Sequence, residues 1–265
     1  MKYTKKLVQA CLRLAGYEAI RLEPDILLRK RASSKFEGQE QIHPFRVDQA
    51  LSSVLRRYCV NCVLDVGANS GQYGNKLRQL GYAGHIISFE PVAEVYAELN
   101  AFIANDPKWQ SIHTALGRSE TTARINVTES RVFSSFLAPN QYARDQFGSS
   151  GGVVREETVS VKPLASILPE IASKITDPRY FLKMDTQGYD LEVFAGVGAE
   201  LTNIVGLQSE VSVVNIYEQM PSMVDSLSVY ESAGFELSGL FPVSRDETER
   251  VIEFDCIMVR PAALP

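Results

Sequence analysis

Residues 63–71, VLDVGANSG, form an apolar run that ends in an acid and passes through a glycine-rich turn. Such a turn lets a ligand approach the backbone, and a helix starting just after it presents free N–H groups to that ligand. Glu90, 19 residues after Gly71, closes the next apolar run, where a carboxylate can take both hydroxyls of a ribose. Turn and acid together point to a cofactor that carries a nucleoside. A dinucleotide turn needs glycine at its first, third and sixth positions, and this chain has Asn69 and Gln72 at the last two. Asn69 fits a tight turn because asparagine accepts positive φ more readily than most residues.

A second set of reactive residues lies further along. Asp185 follows the apolar run 180–184, Glu210 ends the next run, and Asp255 interrupts the last one. At the ends of parallel strands these side chains face the rim where open α/β sheets bind ligands. A carboxylate there can take the proton of an alcohol, which makes Asp185 the expected base. Lys183, two residues earlier, shares its strand face and can hold its charge or form a structural ion pair. Asp185, Glu210 and Asp255 could together bind Mg2+ through oxygen, or equally serve as a network for an acceptor hydroxyl. No histidine is better placed, since His43 lies in the N-terminal arm, His85 begins a strand and His113 sits inside another.

These residues need a scaffold of short buried strands. From residue 62 the chain alternates apolar runs (62–66, 86–89, 112–115, 180–184, 204–214) with amphipathic segments (72–80, 93–104, 190–195, 223–233). That pattern predicts an α/β fold with a parallel sheet covered on both faces. Gly81, Gly196 and Gly234 fall where helices should end in a left-handed residue. Between 117 and 168 the alternation fails; strands are expected at 122–127, 131–137 and 157–161 around a polar loop at 148–152, an insertion that would help cover the substrate. Two final strands, 235–241 and 251–260, should pair antiparallel. Residues 1–57 read as a basic helical extension, with helices near 7–15 and 47–57, and residues 58–265 as the main domain.

The ordered blocks DVGANSG (65–71), FEP (89–91), ALG (115–117), SSF (134–136) and LKMDTQGYDLEVFAG (182–196), with FEL (235–237) and FDCI (254–257), resemble the FkbM family of class I S-adenosylmethionine-dependent methyltransferases. The resemblance covers about residues 60–260. It implies a Rossmann-like, seven-stranded, mostly parallel sheet with one antiparallel strand, S-adenosylmethionine as methyl donor, and a hydroxyl of a sugar, glycan or natural product as acceptor. By the same resemblance Asp65, Gly67, Asn69 and Gly71 would line the methionine side, Glu90 the ribose, and Ala115 and Leu116 the adenine edge. One departure stands out: many members carry Glu where this chain has Gln187.

Composition narrows the partners. Residues 1–57 carry 12 Lys/Arg against 6 Asp/Glu, the remainder 15 against 26. An acidic body suits a small-molecule or glycan acceptor and not nucleic acid, whose affinity rests on phosphate neutralisation. The basic arm could touch an anionic membrane surface, cover the site or build a homodimer. No apolar run reaches the ~18 residues needed to cross a bilayer, so a cytoplasmic protein is expected. Cys59 and Cys62 have CxxC spacing without a second pair, and Cys11, Cys59, Cys62 and Cys256 read as buried thiols. An NAD(P)-dependent sugar oxidoreductase lacks its glycine fingerprint and a Tyr-x-x-x-Lys pair here. A nucleic-acid N-methyltransferase lacks its Pro-Pro-aromatic turn after the fourth strand; intact Asp65, Glu90 and Asp185 count against a non-catalytic cofactor-binding module, which Gln187 leaves open.

Overall fold

The computed structural model describes residues 17–22, 25–30, 35–148 and 152–265. The chain divides into two compact units, residues 1–50 and 51–265. In the first, β1 (Tyr17–Leu22) and β2 (Asp25–Lys30) pair antiparallel, and helix α1 (Lys35–Arg57) begins. Strands thus occupy part of an arm read as helical, in the stretch between its two expected helices. Pro24 lacks an N–H and disfavours helix before it, while Ile20 and Ile26 are β-branched. The helix expected near 7–15 lies outside the described residues, and that expected at 47–57 is the end of α1.

The second unit runs in chain order through β3 (Cys62–Val66), α2 (Gln72–Gln79), β4 (His85–Phe89), α3 (Ala93–Phe102) and β5 (Trp109–Ile112). The insertion follows, with β6 (Ala115–Leu116), β7 (Thr121–Thr128), α4 (Gln141–Phe147), β8 (Val153–Lys162) and α5 (Leu164–Ile171). The chain returns through β9 (Tyr180–Met184), α6 (Asp190–Ala195), β10 (Ile204–Ser212), α7 (Met223–Ser232), β11 (Glu236–Arg245) and β12 (Val251–Val259). Seven strands form one sheet in the order β11-β12-β10-β9-β3-β4-β5. Only β12 is reversed, being antiparallel to both its neighbours. Every residue of β3 and β9 is buried, as central strands covered on both faces require. Leu64, Leu182, Leu207 and Phe181 are among the side chains sealed inside.

The insertion builds its own sheet, β6-β8-β7, with β7 and β8 antiparallel. The strand expected at 131–137 is reduced to one bridge, Ser135 opposite Asn126. Two helices were not foreseen. α4 is short and starts on Asn140, whose side chain accepts the Ala143 N–H at 2.9 Å, while α5 contains Pro169, a residue that normally argues against helix. The centre of the polar loop, residues 149–151, lies outside the described residues.

Gly81 and Gly234 end their helices with φ of 83° and 86°. Gly196 does not: its φ is −77°, and its need for glycine is spatial, because a Cβ there would meet the Gly117 carbonyl oxygen at 2.0 Å. Among the described residues no helix is long and apolar enough to cross a membrane.

Candidate active site

Strand order reverses at β3, which has β4 and β5 on one side and β9 and β10 on the other. The crevice outside the carboxyl ends of β3 and β9 is where such sheets bind ligands. The turn after β3 is shaped for close approach. Gly67 has φ 74°, and a Cβ on it would lie 2.1 Å from the Asp185 carbonyl oxygen. The Gly67 and Ala68 N–H groups donate to the Phe89 carbonyl, each at 3.1 Å, tying this turn to the end of β4. Asn69 takes φ 48°, and its side chain accepts the Ser70 N–H at 2.7 Å. Gly71, at φ 92°, faces Leu99, whose Cδ1 would be 2.9 Å from a Cβ.

Glu90 is held from both sides. Its Oε2 accepts the Asn69 N–H and its Oε1 the Val92 N–H, both at 2.9 Å. A carboxylate has about four lone-pair sites, so each oxygen keeps one for a ligand. Glu90 borders a cavity of about 380 Å³, together with Gly67, Asn69, Ala115, Leu116, Lys183, Asp185, Gln187, Glu210 and Asp255. That volume is within the ~300–1,000 Å³ of ordinary ligand sites. The insertion supplies one wall through Ile125, Arg131, Ser135 and Phe136. Arg131 is anchored to α3 by Glu94 and Glu98 at 2.9 and 2.8 Å.

Two residues expected at the cavity wall stand behind it. Asp65 is fully buried: its Oδ1 lies 3.2 Å from Lys183 Nζ, and its Oδ2 accepts from Ser88 Oγ at 3.1 Å. Ser88 Oγ in turn accepts the Trp109 indole N–H at 3.0 Å. Gly71 likewise lies outside the cavity lining; its place follows from turn geometry and the packing of Leu99. Lys183 is the link between this buried network and the rim. Besides Asp65, its ammonium is 3.4 Å from Asp185 Oδ2, donates to the Gly67 carbonyl at 3.3 Å and lies 5.1 Å from the Tyr73 ring centre. Burial alone would push its pKa down, but Asp65 and Asp185 outweigh burial and hold it above the ordinary lysine value.

The three rim carboxylates are arranged differently from a metal site. Gln187 Nε2 donates to Asp185 Oδ1 and to Glu210 Oε2, both at 3.0 Å, so an amide stands between those two groups. Asp255 is engaged elsewhere: its Oδ1 accepts from Gln208 Nε2 at 3.0 Å, and Gln208 Oε1 accepts from Tyr73 OH at 2.9 Å. Among the described residues no group of three or more His, Cys, Asp or Glu side chains is placed to hold a metal ion. The Mg2+ site that Asp185, Glu210 and Asp255 could have formed is not supported: Gln187 bonds to the first two and Gln208 to the third. Asp185 keeps its side chain 36% exposed.

A family model of the Methyltransferase FkbM domain matches residues 65–237, a span from the first turn into β11. The chain belongs to the FkbM methyltransferase family. No curated protein matches it. Solved structures that it resembles include precorrin-6y C5,15-methyltransferase from Geobacter metallireducens, 12% identical over 81% of this chain and 87% of that one, with a TM-score of 0.41. An rRNA methylase from Streptococcus thermophilus is 11% identical over 81% and 94%, also at 0.41. Aeropyrum pernix fibrillarin, solved with natively bound S-adenosyl-L-methionine, is 12% identical over 92% and 83%, at 0.40. Likeness at that level decides nothing about chemistry, and the class of this methyltransferase's sheet follows from its own strand order.

Several features of this FkbM methyltransferase site escape a reading of residue types. The bridging amide of Gln187 and the anchoring of Arg131 depend on loop paths without periodic signal. The aromatic residues Tyr142, Phe147 and Tyr189 pack into cores: Tyr142 and Phe147 with Ile216 and Met220, Tyr189 against Phe136 with ring centres 4.8 Å apart. Cys62 and Cys256 are buried with thiols pushed up to about 12 by burial, whereas Cys59 is exposed.

Burial pushes two carboxyls, Glu90 and Glu253, up to about 7, despite two backbone hydrogen bonds to the first and one from Ser212 to the second. Both folded values exceed the unfolded one, so their contribution to stability is complete below about pH 4.5 and is lost as pH rises through 7. The ligand-free enzyme should lose about 1 kcal/mol per group between pH 6 and pH 8. Denaturant titrations should show that fall reduced in Glu253→Gln; an equal fall in both proteins would contradict it.

Proposed function

We propose that this methyltransferase moves the methyl group of S-adenosylmethionine to a hydroxyl of a sugar, glycan or natural-product acceptor. The observation that carries the reading is Asp185: a carboxylate open to the cavity, oriented on one oxygen by Gln187 and on the other by Lys183. The residues fit the donor. Gly67, Ala68 and Asn69 line the cavity beside Glu90, which offers two free lone pairs to a vicinal diol. In this reading Gly67 and Asn69 take the methionine side, Glu90 the ribose, and Ala115 with Leu116 the adenine edge. When bound, S-adenosylmethionine supplies an electrophilic methyl group on a sulfonium.

The protein's own work is placement and proton removal. In-line displacement needs the acceptor oxygen held behind the methyl carbon, which the insertion wall and the rim accomplish by confining it. As the new C–O bond forms and the C–S bond breaks, the hydroxyl proton passes to Asp185. Lys183 balances the charge of Asp185 before transfer and remains paired with Asp65 after it. The acidic surface beyond the arm favours a small acceptor over nucleic acid.

Thermal melting with S-adenosylhomocysteine tests the cofactor assignment. At 100 times its dissociation constant it should add ~2.7 kcal/mol of stability, and NAD none. A shift with NAD alone would contradict it. Because Glu90 must be ionised to accept two hydroxyls, affinity should fall about tenfold from pH 8 to pH 6, on either side of its value of about 7. Titration calorimetry of Glu90→Gln should show weaker binding, by roughly 1.5 to 3 kcal/mol, with that pH dependence gone.

A further inference from the structure

Gln187 sits in a conformation glutamine seldom adopts, with φ 53°, followed by Gly188 at 89°. Its carbonyl oxygen accepts from Ser135 Oγ at 2.7 Å, which fastens this turn to the insertion. The side chain has every polar atom engaged. Both amide protons go to carboxylates, Asp185 and Glu210, and Oε1 accepts from Tyr217 OH at 3.0 Å. Tyr217 is 3% exposed and its hydroxyl is also 3.0 Å from the Phe133 carbonyl. Burial and the nearby Glu253, Glu210 and Asp185 hold that phenol above its ordinary value, so it keeps its one proton, which the Phe133 carbonyl and Gln187 Oε1 share. With that donor at Oε1 the amide nitrogen faces the carboxyl groups; the reverse orientation would set the amide oxygen against the Asp185 carboxylate.

The neighbourhood explains why an amide is needed. Glu210 is faced by Asp185 across the amide, by Asp190 from α6, and by Glu253 and Asp255 from β12; Lys183 is the cation that β9 contributes. Burial and these neighbouring carboxylates push the Glu210 carboxyl well above its ordinary value, and hydrogen-bond donors set between it and Asp185 ease that crowding. A cation would do this in one way and a neutral amide with two donors in another.

We infer that Gln187 is a positioning residue whose amide, aimed by Tyr217, occupies the place between Asp185 and Glu210 that a divalent cation would otherwise fill, so that Asp185 works without metal. The inference rests on the reading of Asp185 as proton acceptor. It assigns Tyr217 as the residue that orients Gln187, and it makes residue 187 the point at which metal dependence is decided.

Mn2+, an oxygen-seeking cation with a paramagnetic signal, is the probe. Titrated into the full-length protein, it should remain free at millimolar concentration with the wild type. Gln187→Glu should take up one equivalent at least about tenfold more tightly, since a third carboxylate then converges on the same point. Adding Glu210→Gln to that variant should abolish the uptake. The amide itself gives a second readout. In the isosteric Tyr217→Phe, the Gln187 side-chain amide protons, assigned by their loss in Gln187→Ala, should exchange with water at least about tenfold faster.

Mn2+ uptake by the wild type that Glu210→Gln removes would overturn the inference. So would a Gln187→Glu variant that gains none, or unchanged exchange in Tyr217→Phe. Near-normal turnover in Asp185→Asn would instead remove the proton-acceptor reading itself, an outcome distinct from any of these.

Discussion

Asp185→Asn should reduce turnover by roughly 100-fold or more while leaving cofactor affinity within about twofold. Asparagine is nearly isosteric and can still accept from Gln187, so the shape of the rim survives the change. It cannot take a proton, however, and an alcohol left fully protonated is a poor nucleophile towards a methyl group. Lys183 retains Asp65 as its partner at 3.2 Å, which keeps the ammonium in place and the turn at Gly67 intact. Rates measured under single-turnover conditions, beside calorimetry with S-adenosylhomocysteine, separate the two effects. A variant with near-normal turnover would mean that another group receives the proton. EDTA should leave the wild-type rate unchanged, because no cation is required between Asp185 and Glu210.

Lys183→Met should destabilise the protein by roughly 3–5 kcal/mol, the cost typical of breaking a buried ion pair from one side. Asp65 has no exposed surface, and among the described residues Ser88 is the one that offers it a side-chain hydrogen bond besides Lys183. Without the ammonium, the carboxylate must either stay charged in the interior or take up a proton. Methionine fills much the same volume, so the loss is electrostatic and not a cavity. The double variant Lys183→Met/Asp65→Asn should recover most of the stability, since it removes both charges together. Chemical denaturation measures all three proteins. A single variant that loses less than about 1 kcal/mol would show that Asp65 is neutral in the native state.

The chemistry-bearing positions were legible in the sequence to the extent that chain geometry follows from local pattern. A buried strand running into DVGANSG must turn tightly, and the left-handed Asn69 and Gly71 confirm that turn. An acid closing the next strand lands beside it, and Glu90 accepts the N–H of Asn69 itself. Four of the five apolar runs fall on parallel strands, with a final antiparallel pair, whereas the run at 112–115 bridges the end of β5 and the start of β6. Less was legible where a residue's role depends on a distant partner. Asp65 occupies the motif position of a wall residue, yet Lys183, 118 positions later, draws it inward. Gln187 stands where many family members carry Glu, and its contacts with Glu210 and Tyr217 depend on residues distant in sequence. In the arm, read as helical, β1 and β2 pair instead, in a stretch that carries the branched residues Ile20 and Ile26. α5 was missed for the opposite reason, because Pro169 sits inside a helix that packs Leu164 and Leu168 fully into the core.

The central claim is transfer of a methyl group to oxygen, and 13C-methyl-labelled S-adenosylmethionine tests it most directly. The enzyme would be incubated in EDTA with a panel of hydroxylated acceptors, sugars and polyhydroxylated natural products, together with amine-bearing analogues, and the products followed by carbon NMR. The account expects the label to appear as a methyl ether, formed without added metal and lost in Asp185→Asn. Label attached to nitrogen or carbon, or transfer that stops in EDTA and returns with Mg2+, would contradict it.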